Sequence, residues 1–383
     1  MASACRRRFG PAATRINTPA VYGRRVVARV EHTTKNTVRF AHAARIGKRS
    51  KPPVLKLKFT LFLLLFAALA IADVLVGSTG VLWSFDDHAD PDIVRRILFD
   101  FRLPKAAVAL LAGSALSASG LLMQTIFRNP LAGPYVLGVS SGASLGVALF
   151  LLGLPMLGGA GIARDLGTAA SAWIGAAAIL LLVTAVSARI RDIMAVLILG
   201  MMFGSAASAF VDVLQYFSSD TALKGFVVWS MGSLGGLSHG QLLIMAVCVA
   251  GGLLLAALSV KPLNLLLLGE SYARSMGVSV GRVRGIIFLA TSLLAGSVTA
   301  FCGPIGFVGI AVPHIARMIF RRADHRILLP ASVLIGADMM LLCDMISQLP
   351  GTDLILPVNT ITALLGIPVV VMVVVNSKRG RMM

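Results

Sequence analysis

Glu270 is one of only two glutamates among 383 residues, the other being Glu31, and it opens the run Gly269-Glu270-Ser271-Tyr272-Ala273-Arg274-Ser275-Met276-Gly277. A carboxylate in a first turn suits the positive end of a helix. Gly277 suits the stop of that helix, and Gly269 interrupts the backbone before it. The spacing predicts a short helix with a mixed polar face, built for docking. Asp212, Asp338 and Asp344 stand near or within apolar runs. An intramembrane enzyme would need paired carboxylates, H-E-x-x-H or a nucleophile with an aligned base, and these acids form no such pattern. Single buried acids invite a functional reading such as a proton relay, but packing against local partners explains them as well. The cysteines Cys5, Cys248, Cys302 and Cys343 have no C-x-x-C or metal-ligand spacing and read as ordinary thiols. No G-x-x-x-x-G-K-[ST] run occurs, so this chain carries no nucleotide site of that type.

Glycine and proline mark a second group of candidates. The stretch Arg128-Asn129-Pro130-Leu131-Ala132-Gly133-Pro134 breaks one apolar run, and Gly303-Pro304-Ile305-Gly306 breaks another, which continues to Pro313 and His314. Non-helical backbone at membrane depth survives only where protein or a water-filled cavity covers it. His314, next to Pro313, reads as a packed polar residue before a ligand or proton carrier. The small residues Ser140, Ser141, Gly142 and Gly146 allow close helix approach and could also line a smooth path. Arg102 and Lys105 flank Pro104 at the start of a run, where proline fits a first turn. Their charge predicts either an acidic partner or snorkelling to the interface.

The elements that must position these residues are membrane helices. The chain is 57% hydrophobic and 13% charged, about half the charge of an ordinary soluble domain. Mean hydropathy is +0.87. Apolar blocks near 57–77, 104–126, 134–152, 169–188, 193–213, 239–260, 284–302, 306–320, 327–347 and 357–375 match the length of a bilayer-spanning helix. Ten spans with a cytoplasmic start return the C-terminus to the cytoplasm. The inner loops and ends then carry Arg128, Arg189, Arg191, Lys261, Arg274, Arg282, Arg284, Arg317, Arg321, Arg322, Arg326, Lys378, Arg379 and Arg381. Asp86, Asp87, Asp90, Asp92, Asp100, Asp165, Asp220 and Asp353 fall outside, as the positive-inside rule expects. Arg95, Arg96, Arg102, Lys105, Arg164 and Lys224 are exceptions.

The net charge of +19 is concentrated in residues 1–58, which hold 15 Lys/Arg against the single acid Glu31. It is therefore a property of a tail and argues for no nucleic-acid partner. Residues 1–56 form a basic extension, expected to be disordered and dispensable, with a transit-peptide or lipid-surface segment as the alternative. Dense positive charge there holds the N-terminus inside. Leu110-Leu111-Ala112-Gly113-Ser114 recurs as Leu293-Leu294-Ala295-Gly296-Ser297, and at the same offset Gly120 matches Gly303 and Pro130 matches Pro313. The two copies run in opposite directions, the pattern of an inverted repeat in transporters.

From about residue 57 to 376 the chain resembles the FecCD-type permeases of type II ABC importers. The resemblance is carried, in order, by Arg102-Leu103-Pro104-Lys105, Gly120-Leu121-Leu122-Met123-Gln124, residues 128–134, residues 137–143, residues 269–278, residues 303–309, Val312-Pro313-His314-Ile315-Ala316-Arg317 and Thr362-Ala363-Leu364-Leu365-Gly366-Ile367-Pro368. It implies an all-α polytopic membrane protein of about ten helices with an inverted repeat. The permease domain covers 57–376, and 377–383 form a cytoplasmic tail. It further implies a second permease copy, two cytoplasmic ATPases that bind ATP and magnesium, and an extracytoplasmic binding protein, with no cofactor on this chain. Gly269, Glu270, Ser271, Ala273, Arg274, Ser275 and Gly277 would receive the ATPase, and Arg102 and Lys105 would dock the binding protein. Gln124, Asn129, Pro130, Ser140, Ser141, Gly142, Gly303, Pro304, Gly306, Pro313 and His314 would belong to the path or its broken helices. The implied cargo is an iron chelate, a siderophore first, with haem or cobalamin as alternatives, crossing a bacterial inner membrane. Two positions depart from the family: Gln348 replaces an arginine and Leu356 a glutamate, both at the outer side.

Overall fold

A computed structural model of the chain describes residues 52–77, 80–81, 91–153, 164–187, 190, 192–348 and 355–379. The basic stretch up to residue 51, Cys5 within it, and Asp86, Asp87, Asp90, Arg189, Arg191, Asp353 and Arg381 of the charge pattern lie outside the described residues. The chain divides into Met1–Pro52 and Pro53–Met383, and the helices belong to the second unit. Helix α1 spans Pro52–Leu75, followed by a two-residue antiparallel pair, Val76–Gly77 with Gly80–Val81. Helix α2 (Pro91–Arg96) continues through a π-type turn, Ile97–Arg102, into α3 (Leu103–Ile126). Then come α4 (Val139–Ala148), α5 (Arg164–Ser187), α6 (Ile193–Tyr216), the short α7 (Asp220–Ser230) and α8 (His239–Leu258). Two short helices follow, α9 (Val260–Leu267) and α10 (Glu270–Ser275), before α11 (Val280–Thr291), which passes through a π-type turn, Ser292–Gly296, into α12 (Ser297–Cys302). The chain ends with α13 (Val308–Phe320), α14 (His325–Ser347) and α15 (Val358–Arg379).

Seven helices among the described residues are long and apolar enough to cross a membrane, and three shorter apolar ones, Val139–Gly153, Val308–Phe320 and Val358–Val373, take the places of the third, eighth and tenth expected spans. Val139–Gly153 and Val308–Phe320 are each under 17 residues and so under about 25 Å long, less than the roughly 30 Å hydrocarbon core, whereas the tenth helix continues to Arg379 and is long enough to cross. The third and eighth spans are short because Asn129-Pro130 and Gly303-Pro304 halt the helix before each of them. The chain therefore enters these two spans as irregular backbone, which must be covered by protein or water.

Helix α3 is the centre of the bundle: every residue from Ala112 to Phe127 is buried. It packs along α14 and also meets α8, α11 and α13. Small residues make such contacts close. A Cβ on Gly142 would lie 2.6 Å from the carbonyl oxygen of Gly175, so α4 and α5 cross with their backbones in contact. Helix α1 is the opposite case, with none of its span window buried. It is held at its N-terminal end by Lys58, which donates to the Ile319 carbonyl at 2.6 Å, and by Phe59 tilted against Phe320 with ring centres 4.8 Å apart. At its C-terminal end Arg102 donates to the carbonyls of Val74 and Leu75 at 3.1 and 2.8 Å. The repeated pentapeptides fall in different local structures, Leu110–Ser114 inside α3 and Leu293–Gly296 in the π-type turn Ser292–Gly296, on two spans that pack together.

Candidate functional site

The Glu270 run forms the short helix α10. Gly269 before it has φ +122°, and Gly277 after it has φ +82°, a left-handed value that a side chain would strain. Gly277 N–H donates to Arg274 O at 3.0 Å and Val278 N–H to Ala273 O at 3.0 Å, the paired closure that ends a helix at a left-handed residue. Ala273 is fully buried and seats the helix. One Glu270 oxygen lies 2.5 Å from the guanidinium of Arg284, which is buried on α11, and the other lies 3.5 Å from Arg274. A surface pair alone contributes little, but a bidentate carboxylate joined to a buried arginine fixes the direction of α10 relative to the seventh span. Ser271, Ser275, Tyr272 and Met276 are exposed, as are Leu267 and Leu268 just before the helix. Large apolar side chains gathered on a polar, charged loop are the signature of a contact surface.

Beside α10 the C-terminal end of α3 is a polar hub. Gln124 is buried, donates to Ile310 O at 3.1 Å, and accepts from Arg317 at 2.5 Å, which ties α3 to α13. His314 lies 2.7 Å from the carbonyl of Pro130, so it braces the broken segment in the manner of a packed polar residue. Asn129 accepts from the Leu131 amide at 3.0 Å and closes the turn. Arg128, at φ +47°, donates to Leu266 O on α9 at 3.3 Å. Beyond it lies a buried group centred on His325. His325, 1% exposed, contacts Thr125 through Nε2 at 2.8 Å and Asn264 Oδ1 through Nδ1 at 2.8 Å. Asn264 also accepts the His325 amide at 2.9 Å and donates to Asp324 at 2.6 Å. Burial pushes the Asp324 carboxyl up, but the Arg326 amide and Asn264, with the nearby charges of Arg326 and His325, hold it below its ordinary value. A histidine after a helix-capping aspartate was the only visible signal.

At the opposite end of α3 the two cations expected to face a partner are engaged inside the chain. Arg102 is buried against the end of α1, and Lys105 pairs with the fully buried Asp344 at 3.0 Å. The acidic partner that Lys105 required is thus an intramolecular one on α14. Gln348 donates to the second Asp344 oxygen at 2.8 Å, so the departure at position 348 completes this cluster, with Asp73 of α1 alongside. Asp338 is buried, and neither of its oxygens has a hydrogen-bond partner among the described residues. Gly303, at φ +76°, ends α12 against the Trp229–Gly232 turn, and the Gly306 amide donates to Asn359 at 3.0 Å, joining the broken eighth span to the tenth. Pro304 lies in that break. Pro313 is buried inside α13, Ser140 and Ser141 are half-buried on α4, and Gly142 is at the α5 crossing.

Comparison with known proteins bears on this arrangement. The FecCD transport family matches residues 60–376. The hemin transport system permease protein HmuU of Yersinia pestis is 36% identical over 335 residues, covering 86% of this chain and 98% of that protein. The vitamin B12 import system permease protein BtuC of Citrobacter koseri is 37% identical over 283 residues, covering 74% and 84%. A solved inward-facing transporter of the metal-chelate ABC type superposes with a TM-score of 0.73 at 32% identity, over 85% of this chain and 99% of the other. PsaBC from Streptococcus pneumoniae, at a TM-score of 0.51 and 17% identity, shares the fold.

Proposed function

The chain belongs to the FecCD transport family and is a permease subunit of an ABC importer, not itself an enzyme; from that premise we propose that it carries an iron chelate inward across a bacterial inner membrane. The observation that carries the mechanism is α10, with its two positive-φ glycines, its Glu270–Arg284 anchor and its apolar crest. Such a helix offers a partner a rigid handle on the membrane bundle. The family works with a partner permease and ATPase subunits. We read α10 as the surface that receives the ATPase, which holds the ATP and magnesium, and we read the second permease as another copy of this chain. An extracytoplasmic binding protein would deliver the cargo. Arg102 and Lys105 are not proposed for its docking, because both are engaged within the chain. We read both termini as cytoplasmic, a reading supported by the distribution of arginines along the chain.

A ferric siderophore is the expected cargo. The hemin permease, matched over 98% of its own length, favours haem as a second reading. Cobalamin is third. The test is uptake of ferrichrome, haemin or cyanocobalamin into liposomes that hold the permease with its ATPase. Glu270→Ala and Gly277→Pro should insert normally, hydrolyse ATP and fail to transport, since one frees the helix and the other removes a closing N–H. Normal transport by both variants would remove α10 from the coupling role.

A further inference from the structure

The group around His325 joins three elements on the side of the molecule that carries α10. Asn264 belongs to α9, which leads into α10 through Leu268 and Gly269. Its amide can point only one way: the oxygen receives the His325 main-chain N–H and ring Nδ1, while the nitrogen faces the Asp324 carboxylate. The ring proton is therefore on Nδ1, and Nε2 faces Thr125 at the end of α3. Arg128 adds a second strap from the same end of α3 to Leu266. Helices α3 and α14 then cross the whole membrane packed on each other, so a displacement of α9 reaches the outer side through two rigid bodies. A contiguous set of hydrogen bonds and packed helices can carry coupling between distant sites.

Resting on the reading of α10 as the ATPase contact, we propose that Asn264 and His325 are positioning residues that transmit the displacement of α10 to α3 and α14, with the Asn264–Nδ1 bond as the link. His325→Asn keeps an amide N–H where Nδ1 lies and loses the contact with Thr125. His325→Gln reaches Thr125 and loses the ring Nδ1 bond to Asn264, keeping only the main-chain one. Full-length permease is reconstituted with its ATPase, offered ferrichrome, haemin and cyanocobalamin in turn, and ATP hydrolysed per molecule taken up is measured for the compound the wild type carries. His325→Asn should stay within about twofold of wild type. His325→Gln and Asn264→Leu should hydrolyse ATP at the basal wild-type rate but consume about tenfold more per molecule carried, within the usual range of intersite coupling. Equal losses in both histidine variants would reduce His325 to a scaffold residue and overturn the proposal. Normal coupling in His325→Gln while Glu270→Ala is uncoupled would overturn it and leave the α10 reading intact. Normal coupling in all of them would remove both.

Discussion

Buried charge decides what single residues can do here. Lys105 and Asp344 lie in a medium where a lone carboxylate is costly, so removing one partner is worse than removing both. Lys105→Met should destabilise the protein by about 3 kcal/mol, read as a lower melting temperature of the detergent-solubilised permease. Lys105→Met with Asp344→Asn should recover most of that loss. A melting temperature unchanged by Lys105→Met would mean that the pair carries no stability. The sequence shows the unusual position of Lys105 against the positive-inside trend, but not its distance from Asp344 on another helix. That is why an outside partner was the natural reading. His325 was missed for a similar reason: its partners Thr125 and Asn264 come from two remote segments, and no local pattern announces them.

At the scale of elements, glycine placement carried more information than polarity. The Gly269 and Gly277 positions marked the two ends of α10: Gly269 takes an extended positive φ before the first turn, and Gly277 makes the left-handed closure after the last. The stretch Ser140–Gly146 was legible as a close contact but not as a contact with α5. Gly142→Leu should push α4 from α5 and cost roughly 1–3 kcal/mol through overpacking, seen as poorer yield and a broader gel-filtration peak. An unchanged profile would mean that the crossing tolerates separation. The π-type turns at Ile97–Arg102 and Ser292–Gly296 could not be read beforehand, since apolar periodicity does not distinguish one extra residue per turn.

For the whole molecule, ten apolar blocks and the placement of arginines made the architecture legible, because lipid leaves the backbone few choices. The cargo was not legible: no residue described here selects among siderophore, haem and cobalamin. The orientation gives a direct test. Green fluorescent protein fused after Met383 should fluoresce, and alkaline phosphatase inserted at Ser219 should be active; the reverse pattern would invert the topology.

The tethering of α1 bears finally on how the protein is made. Its outer clasp, Arg102, leaves the ribosome soon after the helix itself. The carbonyl that receives Lys58 is 261 residues further on. Through most of synthesis α1 must wait in the bilayer clasped at one end only, which it can do because its middle turns are apolar all round. Full docking of α1 is then a late step of biogenesis. A chain divided between α1 and α2 and made as two pieces should reassemble and transport, whereas the same cut between α3 and α4 should not.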